Sequence, residues 1–194
     1  KAWDDANNQD GIRPESVTVK LLANGEETGK EVVLKEENNW QADFTELDVY
    51  ADGEKVEYTI EEVAVEGYEV VQTGTSEDGY VLTNTYEPEL INAEGTKTWD
   101  DANNQDGKRP ESITVRLLAN GEEIDHVEEK VEDEWKYSFA DLPKFKNGEE
   151  INYTVQEDGV EDYSTEIDGF DITNSYTPEQ TSLNDVKAWA DANN

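Results

Sequence analysis

Hydrophobic and polar residues alternate along this chain with a period of two. That period is typical of β-strands, whose successive side chains point to opposite faces of a sheet. Asn-Gly and Asp-Gly pairs, which favour tight hairpin turns, stand between the alternating segments. The pattern therefore predicts an all-β fold of short strands. The clearest predicted strands are VTVKLL at 17–22, WQADF at 40–44, VEYTI at 56–60 and YVLTNTY at 80–86.

The chain is a tandem repeat. The nine residues WDDANNQDG at 3–11 recur at 99–107, and LLANGEE at 21–27 recurs at 117–123. A further copy of the opening, KAWADANN, starts at 187. A unit of about 90 residues is the size of an independent domain. About seven short strands in each unit predict a β-sandwich.

These repeats define the expected domain boundaries. Polar stretches at 87–95 and 177–185 join the repeats, and each contains one proline, which restricts hinge motion more than Gly or Ser would. We therefore predict a first repeat at 1–88, a linker at 89–95, a second repeat at 96–178, and a linker with the start of a truncated third repeat at 179–194.

Three polar residues fall on the apolar face of the predicted strands. Alternation from Val56 makes Glu62 the next inward position, and the closing strand carries Asn84 inward. Lys1 shares a face with Trp3. Unpaired buried charges cost several kcal/mol each, so we expect the three side chains to meet. The corresponding residues of the second repeat are Lys97, Glu157 and Asn174.

Two interpretations of this trio remain open on the residues alone. The first is a buried Lys–Glu ion pair that is hydrogen-bonded to the Asn amide. The second is covalent, because burial lowers the pKa of an amine and raises that of a carboxylic acid, which favours a neutral, nucleophilic amine. Held against the Asn amide, that amine would form an amide crosslink while the acid passes a proton to the departing ammonia.

The composition excludes several classes of protein. The 194 residues include 15 basic and 49 acidic side chains, a net charge of 15 − 49 = −34, which argues against binding to nucleic acid or to anionic membranes. No apolar run approaches the roughly 18 residues of a membrane span, so we expect no membrane insertion. Cys and Met are absent. We expect a segment of a longer protein whose small domains need a stabilising link other than a disulfide.

The sequence offers little support for a metal site. The Asp- and Asn-rich loop at 4–11 invites a calcium hypothesis, but alignment on Gly11 puts Ala6 and Val17 at the first and twelfth positions of an EF-hand loop. We favour a turn and leave a weak Ca²⁺ site open. His126 is the sole histidine and there is no Cys, which excludes a zinc site or a Ser-His-Asp triad.

We therefore predict no cofactor. We expect His126 to lie on a solvated strand, and we interpret the acidic run at 128–134 as a solvated sheet edge.

Several motifs together resemble a known family, the CnaB-like B-type repeats of Gram-positive collagen adhesins and pilins. They are Lys-x-Trp-Asp-Asp, Asp-Gly-x-Arg-Pro, Leu-Leu-Ala-Asn-Gly, Tyr-Thr-x-x-Glu and Thr-Asn-x-Tyr, and both full repeats carry them. The resemblance implies a sandwich of reversed immunoglobulin-like topology and a self-formed Lys–Asn isopeptide bond, made once per domain rather than by enzymatic turnover. By motif, the linked pairs are Lys1 with Asn84 and Lys97 with Asn174, assisted by Glu62 and Glu157.

The family also implies a role and a location. We expect a stalk repeat of an extracellular, cell-wall-anchored adhesin or pilus-like protein, contacting neighbouring repeats, with host matrix proteins bound by other domains of the parent. One alternative is a ligand-binding adhesive module, which needs an exposed apolar or aromatic patch. Another is head-to-tail assembly through the opening strand at 187–194. The Tyr-Thr-x-x-Glu and Thr-Asn-x-Tyr motifs that would complete a trio with Lys187 do not follow it in this chain.

Overall fold

The computed structural model describes residues 1–185, so Lys187 and the third opening segment lie outside the described residues. The chain divides into two compact units. The first comprises Lys1–Ile91 together with Asp141–Ile151, and the second comprises Asn92–Ala140 together with the chain from Asn152 onward. Within residues 1–185, no helix has the length and hydrophobicity needed to cross a membrane.

The first unit is built from two three-stranded sheets, with strand orders β1-β8-β7 and β3-β2-β6, and a small β4-β5 hairpin. A single 3-10 turn, Glu36–Asn38, follows β3. The strands are β1 (Ala2–Asp4), β2 (Ser16–Ala23), β3 (Glu26–Lys35), β4 (Tyr50–Ala51), β5 (Glu54–Lys55), β6 (Tyr58–Glu62), β7 (Glu69–Thr75) and β8 (Gly79–Thr85).

The second unit repeats this plan with a three-stranded sheet, β11-β10-β15, and a four-stranded sheet, β12-β9-β17-β16. The β13-β14 hairpin falls in the segment that groups with the first unit. The strands are β9 (Leu90–Asp100), β10 (Ser112–Ala119), β11 (Glu122–Lys130), β12 (Lys136–Pro143), β13 (Phe145–Lys146), β14 (Glu149–Glu150), β15 (Tyr153–Glu157), β16 (Ser164–Asp168) and β17 (Asp171–Ser175).

In each unit, apolar residues from both sheets form the core. In the first unit Val19 and Leu34 of one sheet pack with Leu82 of the other, and Trp40 and Phe44 lie against them. In the second unit the buried residues include Val115, Leu117 and Ile172, again from both sheets. The prediction of an all-β sandwich is confirmed. The period-two alternation gives each sheet one apolar face, and the two apolar faces pack against each other.

The hairpins use the predicted turn chemistry. Both central residues have positive φ angles at Asn24-Gly25, Asp52-Gly53, Asn120-Gly121 and Asn147-Gly148. A type I′ turn requires this backbone at both positions, and Asn, Asp and Gly accept it at low cost.

One predicted strand is absent. Residues 40–44 do not form a strand, and Trp40 adopts a left-handed backbone with φ of 58°. In the second unit the corresponding β12 pairs with β9, which has 11 residues, whereas β1 has only 3. A strand needs a ladder of backbone hydrogen bonds to a neighbouring strand. Residues 40–44 have single bonds such as Lys1 N to Trp40 O at 3.0 Å but no paired strand, so alternation alone did not suffice. The predicted linker is 89–95, and β9 begins within it at Leu90.

The acidic run at 128–134 is not a uniformly solvated edge. Glu129 is only 4% exposed. It lies opposite Ile113 in the β10–β11 pairing, on the same inward face as Val127. The solvated-edge interpretation was therefore wrong at Glu129, because the strand alternation continues through the charged residues.

Candidate functional site

The predicted site residues come from both sheets of each sandwich. In the first unit β1 and β8 pair in parallel, with Trp3 opposite Asn84, and in the other sheet Glu62 of β6 lies opposite Val19 of β2. In the second unit Trp99 lies opposite Asn174, and Glu157 lies opposite Val115. Because Glu and Asn both occupy inward positions, their side chains enter the space between the sheets.

In the first unit the three predicted side chains are joined through one carboxylate. The Nζ of Lys1 donates a hydrogen bond to Glu62 Oε2 at 2.8 Å, and the Nδ2 of Asn84 donates to Glu62 Oε1 at 2.6 Å. The side chains of Lys1 and Glu62 are 0% and 1% exposed. Among the described residues, Asn84 Oδ1 has no hydrogen-bond partner. The amine, acid and amide thus share one site shielded from water.

The second unit gathers the same residue types with a different set of contacts. Lys97 Nζ lies 3.0 Å from Glu157 Oε1, and both side chains are fully buried. The two atoms are not aligned as a hydrogen bond. Glu157 Oε2 instead accepts a hydrogen bond from Thr165 Oγ1 at 3.0 Å. Asn174 is completely buried, and in the described part of the chain neither of its amide atoms has a hydrogen-bond partner.

Burial acts directly on the two lysine amines. Loss of hydration lowers the pKa of Lys1 and of Lys97, and this outweighs the opposing attraction of the neighbouring Glu carboxylates. Each Nζ also lies over an indole ring, 4.5 Å from the centre of Trp3 and 4.4 Å from that of Trp99. The indole rings therefore border each amine. Burial makes the neutral, nucleophilic form of each amine easier to reach.

The tryptophans are held by an aromatic and ionic network that the sequence analysis did not find. Trp3 packs edge-on against Trp40 and Tyr68. Arg13 donates two hydrogen bonds to the buried Asp5, which also accepts from the Tyr68 hydroxyl. Burial opposes ionisation of Asp5, but these donors and a backbone N–H hold its pKa below the ordinary value. The repeated WDD and RP motifs are the sequence signal of this network.

The second unit repeats this network around Trp99, which packs against Trp135 and Tyr163. Arg109 donates two hydrogen bonds to Asp101. The Arg109 hydrogen bond is the main cause that lowers the pKa of Asp101 to about 2. The same contacts thus fix the tryptophan face beneath the buried lysine in both units.

The Asp- and Asn-rich loop forms the expected turn. Ala6, Asn7 and Asn8 are all left-handed, and Asn8 Oδ1 accepts the Arg13 backbone N–H at 2.9 Å. Asp10 Oδ2 accepts the Tyr86 hydroxyl and the Glu89 backbone N–H. Protein donors therefore engage Asn8 Oδ1 and Asp10 Oδ2, whereas Asp10 Oδ1 is buried without a hydrogen-bond partner among the described residues.

Neither the loop nor the histidine belongs to a metal cluster in the structure. Across residues 1–185, no group of three or more potential metal ligands is found. His126 is exposed on β11, as predicted, and its Nδ1 lies 3.8 Å from Glu123.

Comparison with known proteins accounts for the repeated architecture. The family model of the Cna protein B-type domain matches residues 1–85 and again 93–175. The chain belongs to this family. B-type repeats are structural, non-enzymatic domains, and this chain contains two of them in tandem.

Two relatives define the likeness more closely. The collagen adhesin of Staphylococcus aureus is 49% identical over 195 residues, which cover all of this chain and 16% of that protein. The crystal structure of two B repeat units (B1B2) of the S. aureus collagen-binding protein has a TM-score of 0.81 at 49% identity, covering 91% of this chain and 48% of that one. The chain thus spans a small part of the adhesin that it matches.

Proposed function

We propose that the two B-type repeats are stalk segments of a bacterial surface adhesin, each locked by a self-formed amide bond. The bonds join Lys1 to Asn84 and Lys97 to Asn174. One observation supports this most directly: a buried amine, carboxyl group and primary amide meet through Glu62 in the first repeat. The same three residue types lie buried together in the second repeat.

The chemistry needs no group beyond these three side chains. A proton passes from the Lys1 ammonium to Glu62, which leaves a neutral amine beside a carboxylic acid. The amine nitrogen attacks the Asn84 side-chain carbonyl carbon. Glu62 takes a proton from the attacking nitrogen and delivers one to Nδ2, which departs as ammonia. One C–N bond forms and one C–N bond breaks. Glu62 keeps the proton that it first took from the Lys1 ammonium, and returns to the carboxylate when the departing ammonia carries that proton away as ammonium.

Burial and fixed geometry favour this reaction over the free ion pair. Groups held in contact react with a high effective molarity, because the entropy of bringing them together is already lost on folding. In the second repeat, the Asn174 amide is buried without a hydrogen-bond partner among the described residues. A buried donor or acceptor without a partner destabilises the folded state by about 1–3 kcal/mol, so the repeat without its amide bond is destabilised. Release of ammonia removes the two Nδ2–H donors.

The bond would replace the disulfides that this Cys-free chain lacks. It would close a loop from residue 1 to residue 84, and another from 97 to 174. By the chain-entropy model for crosslinks, loops of this length stabilise the folded state by about 4.5 kcal/mol. A closed loop also keeps the strands together after local opening, which protects the repeat from proteases.

We further propose an extracellular location and a cell-wall-anchored parent. The basis is the 49% identity to a collagen adhesin. In such a parent, other domains would contact host matrix proteins, and these repeats would hold them away from the cell. The net charge of −34 would limit self-association of a repeat array.

The test is the intact mass of the denatured protein. Each bond expels one ammonia, about 17 Da, from a chain of 21.9 kDa. Two losses are expected, and digestion should yield branched peptides that contain Lys1 with Asn84 and Lys97 with Asn174.

The isosteric changes Glu62→Gln and Glu157→Gln serve as matched controls, and each should abolish one loss while its repeat still folds. A full-length mass without any deficit would overturn the covalent proposal. Unaltered crosslinking in both Gln variants would overturn the role given to the carboxyl groups.

A further inference from the structure

The two reactive sites differ at the position opposite the reactive Asn. In the antiparallel pairing of β7 with β8, Asn84 lies opposite Val70. In the equivalent pairing of β16 with β17, Asn174 lies opposite Thr165. Directly opposite residues share one face of a sheet, so Val70 and Thr165 are equivalent neighbours of the two Asn residues. Both lie on the outer strand of their sheet and are exposed, Val70 to 46%. The first site therefore has an isopropyl group where the second has a hydroxyl.

The hydroxyl changes which groups the carboxylate contacts. Glu62 divides its two oxygens between Lys1 and Asn84. Glu157 divides its oxygens between Lys97 and Thr165 instead. Asn174, though fully buried, has no hydrogen-bond partner among the described residues. The hydrogen bond from Thr165 thus holds the Glu157 carboxylate in an orientation in which Oε2 faces β16.

We propose that Thr165 is a positioning residue that holds Glu157 away from Asn174 and slows bond formation in the second repeat. This inference rests on the proposed amide bond. Glu62 already contacts the amide nitrogen that must receive a proton, at 2.6 Å. Glu157 has to break its hydrogen bond with Thr165 and turn before it can do the same. Net hydrogen bonds to charged groups are strong enough to change a rate by about tenfold.

The inference can be tested by exchanging the two residue types between the repeats, with Val70→Thr in the first and Thr165→Val in the second. Thr and Val are both β-branched and nearly isosteric, so the exchange changes the hydroxyl with little change in strand preference. Thr165→Val should accelerate bond formation in the second repeat by about tenfold. Val70→Thr should slow the first repeat. Thr165→Ser keeps a hydroxyl and should restore the slow rate, an effect that a purely packing role would not produce.

The rates can be followed as the full chain is made. Aliquots of a cell-free translation are quenched in acid at timed intervals and digested with trypsin, which does not cleave at an acylated lysine. Mass spectrometry then gives the linked fraction of Lys97 and of Lys1 separately. Far-UV circular dichroism of each purified variant checks that the repeats are folded.

The outcomes separate this inference from the proposed function. A faster second repeat in Thr165→Val, with Ser behaving as wild type, supports it. Linked peptides in both repeats with rates unchanged by the exchange, or a slower Thr165→Val, would overturn the role of Thr165 and leave the proposed bond intact. Absence of linked peptides in every sample would overturn the bond itself, and this inference with it.

Discussion

Glu129 occupies the position in the second repeat that Leu34 occupies in the first. Leu34 lies opposite Val17 in the β2–β3 pairing, and Glu129 lies opposite Ile113 in the β10–β11 pairing. Both side chains are buried, and Glu129 Oε2 has no hydrogen-bond partner in the described residues. Burial, with a smaller contribution from the negative charge of Asp133, raises the pKa of Glu129. The second repeat thus carries a carboxyl group in its core where the first carries a leucine.

Glu129→Leu should stabilise the second repeat. Removing a buried carboxyl group without a full set of partners and filling its site with an apolar side chain should raise the free energy of unfolding by about 1–3 kcal/mol. The reverse change, Leu34→Glu, should destabilise the first repeat. Hydrogen exchange followed by mass spectrometry resolves the two repeats within the full chain. Equal protection in Glu129→Leu and wild type would contradict this prediction.

The gain from Glu129→Leu should also depend on pH. Because the folded pKa is raised above the unfolded value, the protonated carboxyl group is tolerated at low pH, and stability is lost as the pH rises through the folded pKa. The difference between variant and wild type should therefore grow from acid toward neutral pH. Tyr137 of β12 also interacts electrostatically with Glu129, so Tyr137→Phe is a control for its contribution. A gain that is constant with pH would show that Glu129 has the same pKa in the folded and unfolded states, and would contradict this prediction.

Asp101 should impose the opposite pH dependence. Its pKa in the folded repeat is about 2, below the ordinary value of 3.8. A depressed carboxyl pKa stabilises the folded state above the unfolded pKa, and that contribution is lost as the pH falls from about 4 toward 2. Asp101→Asn should remove this dependence and lower the unfolding temperature at neutral pH. Calorimetry across the acid range measures both effects, and a flat difference between the two proteins would refute the assignment.

Gly95 should be intolerant of any side chain. A Cβ atom at this position would lie 2.6 Å from the Tyr137 hydroxyl oxygen and in closer contact still with the Phe170 carbonyl oxygen. Gly95→Ala should therefore shift β9 or β12 and destabilise the second repeat by about 1–3 kcal/mol. Gly159→Ala is the matched control, because an added Cβ there meets nothing within 4 Å. Similar unfolding temperatures for the two variants would contradict the steric argument.

Loss of a crosslink should expose its repeat to protease. In Glu157→Gln the second repeat should be digested at a lower temperature than the first, and Glu62→Gln should reverse that order. The reason is the loss of about 4.5 kcal/mol of loop-closure stabilisation in the unlinked repeat. Timed trypsin digestion with mass identification of the fragments makes the measurement. Identical digestion patterns for the two variants would argue against crosslinks that stabilise each repeat separately.

Much of the site was predictable because the alternation of inward and outward positions along a strand continues through its polar residues. Counting inward positions from Val56 reached Glu62, and counting along the closing strand reached Asn84, both of which the structure places in the core. Thr165 was not found, because its importance depends on cross-strand register with Asn174, which a single strand pattern does not contain. Glu129 was missed because a charged run was interpreted by composition instead of by alternation.

The limits of local pattern are also clear at 40–44. Those residues alternate as a strand should, yet the segment has no sheet neighbour. Trp135 has the same left-handed backbone as Trp40, and the segment after it does form β12 because it pairs with β9. Sheet formation is a property of pairs of segments. Sequence alternation predicts the face of a strand, whereas its existence depends on a partner elsewhere in the chain.

The parallel pairing of β1 with β8, and of β9 with β17, determines how each repeat would carry a pulling force. The first and last strands of a repeat lie side by side and point the same way. Tension applied at the two ends of a repeat would make these strands slide past each other, so their hydrogen bonds would be loaded together and not one after another. A bond between Lys1 and Asn84 would carry that tension directly across the pair, and the 82 residues between them would then bear almost none of it.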